Sequence, residues 1–290
     1  GIDARVWDPE TDPAIEHRLE GDDIQAFKLK NKKALCEWFG LPLDQPIISF
    51  IGRIVGEKGC DLLPDAFRSY IHAGGKASFL VLGTGEPWTQ NQFRQMAYQY
   101  PGHFNAIIDY NEALAHQIYA GSDFLIMPSR VEPCGLNQMY AMRYGTIPIV
   151  HTVGGLKDTV PDIGDPGGAG RGIRFDRFDL GDIGWAIHRG ASMWHHDPYA
   201  ISEIRKRIMA LDFSWERTIE SYFQVYRGAN AAIRVEKRQM VEPSSPPAKQ
   251  ENKSEPVAEP VVKKASGKKS KIKTAETPAL PVTKKKAKKQ

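Results

Sequence analysis

The stretch Asp123-Phe124-Leu125-Ile126-Met127-Pro128-Ser129-Arg130-Val131-Glu132-Pro133-Cys134-Gly135-Leu136-Asn137-Gln138-Met139-Tyr140 decides the fold. Its first five residues are a short apolar run of the kind that forms a parallel strand buried on both faces. Pro133 and Gly135 break the backbone. From Leu136 the pattern is helical, with Leu136, Met139, Tyr140 and Met142 as candidate inward positions. A strand ends, a tight turn carries the carboxylate of Glu132, and a helix begins. In an open α/β sheet, ligands sit outside strand carboxyl ends, facing helix N-termini. The free N–H groups of Gly135, Leu136 and Asn137 are expected to point into that crevice and to favour an anion, phosphate being the usual one.

The same alternation recurs outward from this stretch. Pro46–Ile51, Ser78–Leu82, Asn105–Asp109 and Thr146–Val150 read as further strands. Helices are predicted over Lys28–Phe39, Leu62–His72, Asn91–Tyr100 and, capped by Asn111, through Ala120. In the first of these, Leu35, Trp38 and Phe39 are available for one face, and Gly40 is a C-terminal stop. A Gly/Pro-dense loop, Pro161–Gly172, precedes two or three amphipathic helices between Leu180 and Ile233. Strands alternating with helices imply βαβ units. The fold class is therefore α/β, a doubly wound parallel sheet over about residues 24–233. Residues 1–23, rich in Asp, Glu and Pro, read as an irregular lead-in, and residues 234–290 as a Lys/Pro-rich tail.

Charge divides the chain unevenly. Residues 241–290 hold 13 Lys, no Arg and 5 Glu, a charge of +8; the whole is +4, so residues 1–240 carry −4. The basic balance belongs to the tail, and nothing in the body's charge suggests a nucleic-acid surface. With seven Pro and no aromatic residue, the tail cannot offset chain entropy by burial and is expected to be disordered. A solubilising tether and an arm attracted to polyanions both fit that composition. Cys36, Cys60 and Cys134 form no CxxC pair, which suits a reducing cytoplasm and argues against disulfides or zinc. No apolar run is long enough to span a bilayer and no signal peptide is present, so a cytoplasmic location without a membrane partner is expected. The chain opens Gly1-Ile2-Asp3-Ala4 without Met, as a piece of something longer would.

Several residues carry chemistry. Arg53 and Lys58 share the loop Gly52-Arg53-Ile54-Val55-Gly56-Glu57-Lys58-Gly59, directly after a predicted strand. Glycines let a backbone approach a ligand closely, and two cations there can neutralise a diphosphate without a metal. Two solvated surface charges are the alternative. The GxxxxGK[ST] spacing of a P-loop and the Rossmann GxGxxG are both missing. Glu132 suits sugar hydroxyls or a transient oxocarbenium, or else caps the following helix. Tyr110 offers a flat face to a base, or packs in the core. Cys134 sits where a helix start lowers a thiol pKa, or is a small buried residue. His195-His196 lacks partners at metal-ligand spacing and reads as surface.

Four segments together resemble a known family. They are Gly52-Arg53-(x4)-Lys58-Gly59; Tyr110-Asn111-Glu112-Ala113-Leu114-Ala115-His116; Pro128-Ser129-Arg130-x-Glu132-Pro133-Cys134-Gly135-Leu136-Asn137-Gln138; and Gly154-Gly155-Leu156-x-Asp158-Thr159-Val160. Their order and spacing are similar to those of bacterial glycogen and plant starch synthases across about residues 1–228, and Phe213-Ser214-Trp215 fits as well. The resemblance implies the C-terminal, nucleotide-binding half of a two-domain GT-B glycosyltransferase. It implies retaining transfer of glucose from ADP-glucose to the non-reducing 4-hydroxyl of an α-1,4-glucan acceptor, with no cofactor and no metal. It also assigns roles. Arg53 and Lys58 hold the diphosphate, and Tyr110 stacks on adenine. Glu132 faces the glucosyl ring. Gly52, Gly135, Leu136 and Asn137 line the donor site, and Cys134 is the active-site cysteine position. Two departures stand out. Related transferases often carry a second Glu eight positions after the first, where this chain has Tyr140. The family's N-terminal domain, with its Lys-Thr-Gly-Gly-Leu motif and acceptor groove, is absent from these residues, so the chain alone is expected to be weakly active. A non-catalytic nucleotide-sugar-binding module and a retaining transferase with another donor are the alternatives.

Overall fold

The apolar runs become the strands β1 (Ile47–Ile51), β2 (Ser78–Leu82), β3 (Phe104–Ile107), β4 (Phe124–Met127), β5 (Ile147–His151) and β6 (Ile173–Phe175). A computed structural model of the protein describes residues 1–241. The chain forms two compact units, Gly1–Lys237 and Arg238–Gln290. The second falls almost wholly outside the described residues, and with it the tail expected to be disordered.

The six strands form one sheet in the order β3-β2-β1-β4-β5-β6, and every pairing is parallel. The chain builds outward from β1 through β2 to β3, then returns to the other side of β1 and builds outward again. The topological switch point therefore lies between β1 and β4, where Ser49 is paired with Leu125. All of β2, β4 and β5 is buried, because helices cover both faces. That double cover is why these strands read as continuous apolar runs rather than alternating ones.

The helices are α1 (Ile24–Phe39), α2 (Leu63–His72), α3 (Pro87–Gln99), α4 (Glu112–Gly121), α5 (Asn137–Arg143), α6 (Gly154–Thr159), α7 (Leu180–His196), α8 (Pro198–Met209) and α9 (Trp215–Val241). Their ends follow local chemistry. Asp23 caps α1 by accepting from the Ala26 N–H, and Gly40 ends it at φ 64°. Asn111 Oδ1 accepts from the Leu114 N–H at 2.9 Å, the cap expected from the sequence. α9 runs to Val241, past the expected boundary at residue 233. No described helix is long and apolar enough to cross a membrane.

The structure corrects the reading at several points. β6 and α6 are additional elements, three and six residues long, too short to show periodicity. α5 begins at Asn137, so Leu136 precedes the helix and is exposed rather than inward. On α1, Trp38 faces out while Lys28, Asn31 and Lys32 are buried. The lead-in is anchored by Trp7, stacked between His116 and Tyr140 with ring centroids 3.8 Å away on each side. Asp12 Oδ2 sits 2.6 Å from His116 Nδ1 and also accepts from the Tyr144 hydroxyl.

Candidate functional site

At the switch point two loops leave neighbouring strand ends. The loop after β1 carries Gly52, Arg53 and a 3-10 turn, Gly56–Lys58. The loop after β4 carries Ser129 and Glu132. Lys58 Nζ donates to Glu132 Oε2 at 2.6 Å, and Ser129 Oγ donates to the same oxygen at 3.1 Å. Glu132 is buried. Arg53 is largely exposed, its guanidinium 3.8 Å from Glu57 Oε1. Arg53, Lys58, Ser129 and Glu132 line one cavity of about 210 Å³, together with Gly52, Gly135, Leu136 and Asn137. The three charged residues singled out by sequence thus meet at one cavity, although 74 residues separate Lys58 from Glu132.

The start of α5 closes one wall. Among the described residues, the N–H groups of Gly135, Leu136 and Asn137 find no backbone acceptor, so they remain available as donors. The Asn137 side chain donates to the Ile51 carbonyl at 2.7 Å, which ties the helix start to the end of β1. A cation pair, open N–H groups and one held carboxylate can stabilise negative charge on one side of a reacting centre and positive charge on the other.

A second cavity, of about 320 Å³, shares Ile51, Gly52, Arg53 and Asn137 with the first. It continues toward Thr84, Tyr110 and Trp7. Tyr110 is 81% exposed, so it is not core packing, and it presents a free ring. Cys134 is exposed and belongs to neither lining; its thiol is 3.5 Å from the Gly135 carbonyl. His195 and His196 each meet a backbone carbonyl, of Lys76 and Ser192 respectively, at the surface.

Close backbone approaches hold the two loops together. Gly59 has φ 73°, and a Cβ there would collide with the Pro128 carbonyl. Gly154 and Gly155, at the start of α6, press on the carbonyls of Glu132 and Cys134, and the Gly155 N–H donates to the Glu132 carbonyl at 2.9 Å. His151 Nδ1 lies 2.8 Å from the Ser129 carbonyl. Arg130 pairs bidentately with Asp61 at 2.6 and 2.7 Å, locking the same loop to the residues after Lys58. Gly155→Val is therefore expected to destabilise the fold by about 1–3 kcal/mol, the usual cost of overpacking. A denaturant midpoint equal to wild type would contradict this.

Sequence reasoning missed Ser129 as the group steadying Glu132, although it lies within the quoted motif. Trp7 lines the second cavity with no local pattern to announce it, since it reaches the cavity from the lead-in; Tyr140, read as an inward helical position, lines it as well.

Comparison with known proteins bears on the fold and the family. The family model described as Glycosyl transferases group 1 matches residues 32–168. A glycogen synthase of Flavobacterium johnsoniae is 46% identical over 227 residues, 78% of this chain and 47% of that protein. A glycogen synthase of Bacillus cereus is 41% identical over 229 residues, with the same coverage of 78% and 47%. Among solved structures, the catalytic domain of starch synthase IV from Arabidopsis thaliana, bound to ADP and acarbose, matches with TM-score 0.72 and 35% identity, over 78% of this chain and 47% of that one. The fold and these matches define a glycosyltransferase domain of the GT-B type. Within that class the chain fits the glycogen/starch synthase family. It spans about half the length of the curated relatives it matches.

Proposed function

We propose that this chain is the donor-binding, C-terminal half of a glucan synthase. In this reading the complete enzyme transfers glucose from ADP-glucose, with retention, to the non-reducing 4-hydroxyl of an α-1,4-glucan. The contact that carries the reading is Lys58 Nζ to Glu132 Oε2, 2.6 Å, at the mouth of a crevice that continues into a second cavity beside Tyr110. The cation and the carboxylate are spaced so that one nucleotide sugar can touch both.

The chemistry follows from charge. Breaking the bond between the sugar's anomeric carbon and the diphosphate oxygen leaves negative charge on the departing ADP and positive character on the ring. Arg53, Lys58 and the N–H groups at the start of α5 answer the first. Glu132, steadied by Ser129, answers the second. The larger cavity takes the nucleoside, with the base on the ring of Tyr110. Gly52 lets the diphosphate approach the backbone between the two cavities. No step needs a metal or a cofactor. Cys134 stands at the rim, where it borders the glucan acceptor rather than the donor. An acceptor-binding half, which this chain lacks on our reading, completes the site.

Calorimetric titration of the chain with ADP, UDP and ADP-glucose tests the donor. ADP and ADP-glucose are expected to bind and UDP to bind more weakly. Tyr110→Ala is expected to weaken ADP by roughly 1–3 kcal/mol, the usual worth of a base–aromatic stack. Arg53→Ala is expected to weaken ADP while leaving adenosine unchanged. Equal affinity for UDP and ADP would point to a different donor. Robust elongation of a maltooligosaccharide by the 290 residues alone would overturn the division of labour between halves.

A further inference from the structure

Another charged cavity lies at the opposite end of the strands, at the amino ends of β1 and β4. Its volume is about 730 Å³, and Lys28, Lys32, Asp123, Trp194 and Arg205 line it. The side chains of Lys32 and Arg205 are each 6% exposed. Asp123 is the one buried carboxylate there, and its oxygens are fully engaged. Oδ1 accepts from Arg205 Nη2 at 2.6 Å and from Trp194 Nε1 at 2.9 Å. Oδ2 accepts from the Ile47 N–H at 2.9 Å and lies 2.8 Å from Lys32 Nζ.

That carboxylate does not exhaust the cations around it. Arg205 Nε has no hydrogen-bond acceptor among the described residues, and Lys32 Nζ, which carries three donors, is matched there by one ion pair, to Asp123 Oδ2 at 2.8 Å, and by the face of Trp194 at 4.1 Å. Lys28 spends its donors inward, on the carbonyls of Tyr119 and Tyr144 and on Thr146 Oγ1. Burial pushes its pKa well down. Even with Lys28 neutral, two buried cations face one buried anion. At the rim, Asp23 is occupied in capping α1, and the His195 imidazole meets the Lys76 carbonyl. Buried donors without partners are costly, and their presence in a folded protein calls for an occupant.

We propose that this cavity binds a small oxyanion, a phosphate or phosphate monoester, whose oxygens accept from Lys32 Nζ and Arg205 Nε. Arg205 offers the directional donor and Lys32 the compact charge. Leu29, Leu43, Pro198 and Ile201 form the apolar part of the wall, against which an uncharged body attached to the phosphate rests. The size is that of a small-molecule site. The site is independent of the donor crevice, from which the length of the strands separates it.

The test is thermal unfolding of the chain titrated with inorganic phosphate at constant ionic strength, chloride being the balancing anion. Wild type and Arg53→Ala are expected to show the same saturable rise in Tm of about 2–6 °C. Arg205→Met removes the donor but risks the fold. Leu29→Glu, on an exposed face of α1, instead sets a competing carboxylate at the cavity wall, and is expected to weaken phosphate at least about ten-fold. Absence of a saturable rise would overturn the proposal. So would a rise lost in Arg53→Ala, which would assign the phosphate to the donor crevice, or a rise undiminished in Leu29→Glu.

Discussion

Lys58→Ala, introduced into the complete enzyme, is expected to lower the rate of glucosyl transfer about 10²–10³-fold, with KM for the glucan unchanged. Two consequences of one contact combine. On the proposed function, the departing diphosphate loses a fixed cation. Glu132, buried and 2.6 Å from Lys58 Nζ, also loses its countercharge and keeps only the Ser129 hydroxyl. A carboxylate left in that setting no longer faces the sugar in a held geometry. Lys58→Arg is not expected to restore the rate, because the guanidinium is a planar fork and the site is cut for a compact ammonium. Transfer assayed at saturating glucan checks this, with ADP titrated onto the same variant. A rate above one tenth of wild type, with ADP affinity unaltered, would remove Lys58 from the reaction.

Asp123→Asn is expected to cost about 3–5 kcal/mol of folding stability, because it leaves Lys32 and Arg205 buried without a countercharge. Burial alone would raise the Asp123 pKa. The charges of Lys32 and Arg205 outweigh it, aided by the hydrogen bond from the Ile47 N–H, and hold it down at about 2. The folded-state value is thus below the unfolded one near 4. The stabilisation is fully present above about pH 4 and is lost as the pH falls through about 2, an effect of roughly 2 kcal/mol. Wild type should therefore lose stability between pH 4 and 2 more steeply than Asp123→Asn does. Urea melts of both proteins across that range measure it, and parallel curves would show that Asp123 is not the titrating group.

Lys58 and Asp123 lie at opposite ends of the central strands, and sequence reached them unequally. At the carboxyl ends of the strands Arg53, Lys58 and Glu132 each sat in a motif. Glycines flanked Arg53 and Lys58, and a strand-turn-helix pattern surrounded Glu132. At the other end nothing marked Lys28 and Lys32. Helical periodicity offered Trp38 for the inner face of α1, and two lysines went inside instead. Their burial depends on Asp123 and on the backbone carbonyls of Tyr119 and Tyr144, which arrive from elements roughly 90 or more residues away. A charge on a helix reads as solvent-facing until its partner is known.

The amino-acid sequence by itself determined the elements. Apolar runs with no alternation made strands for a sheet covered on both faces. Asn111 set a helix start, and Gly40 a helix end. The motif glycines marked where backbones must touch. Tertiary structure decided which loops meet. Strand order β3-β2-β1-β4-β5-β6 sets β1 beside β4, and only that adjacency brings Lys58 to Glu132 and adds Trp7 and Tyr140 to the cavity beside Tyr110. The reason is physical. Local periodicity states which face of a strand is buried, whereas the neighbour it pairs with is chosen by how all the covered faces pack at once.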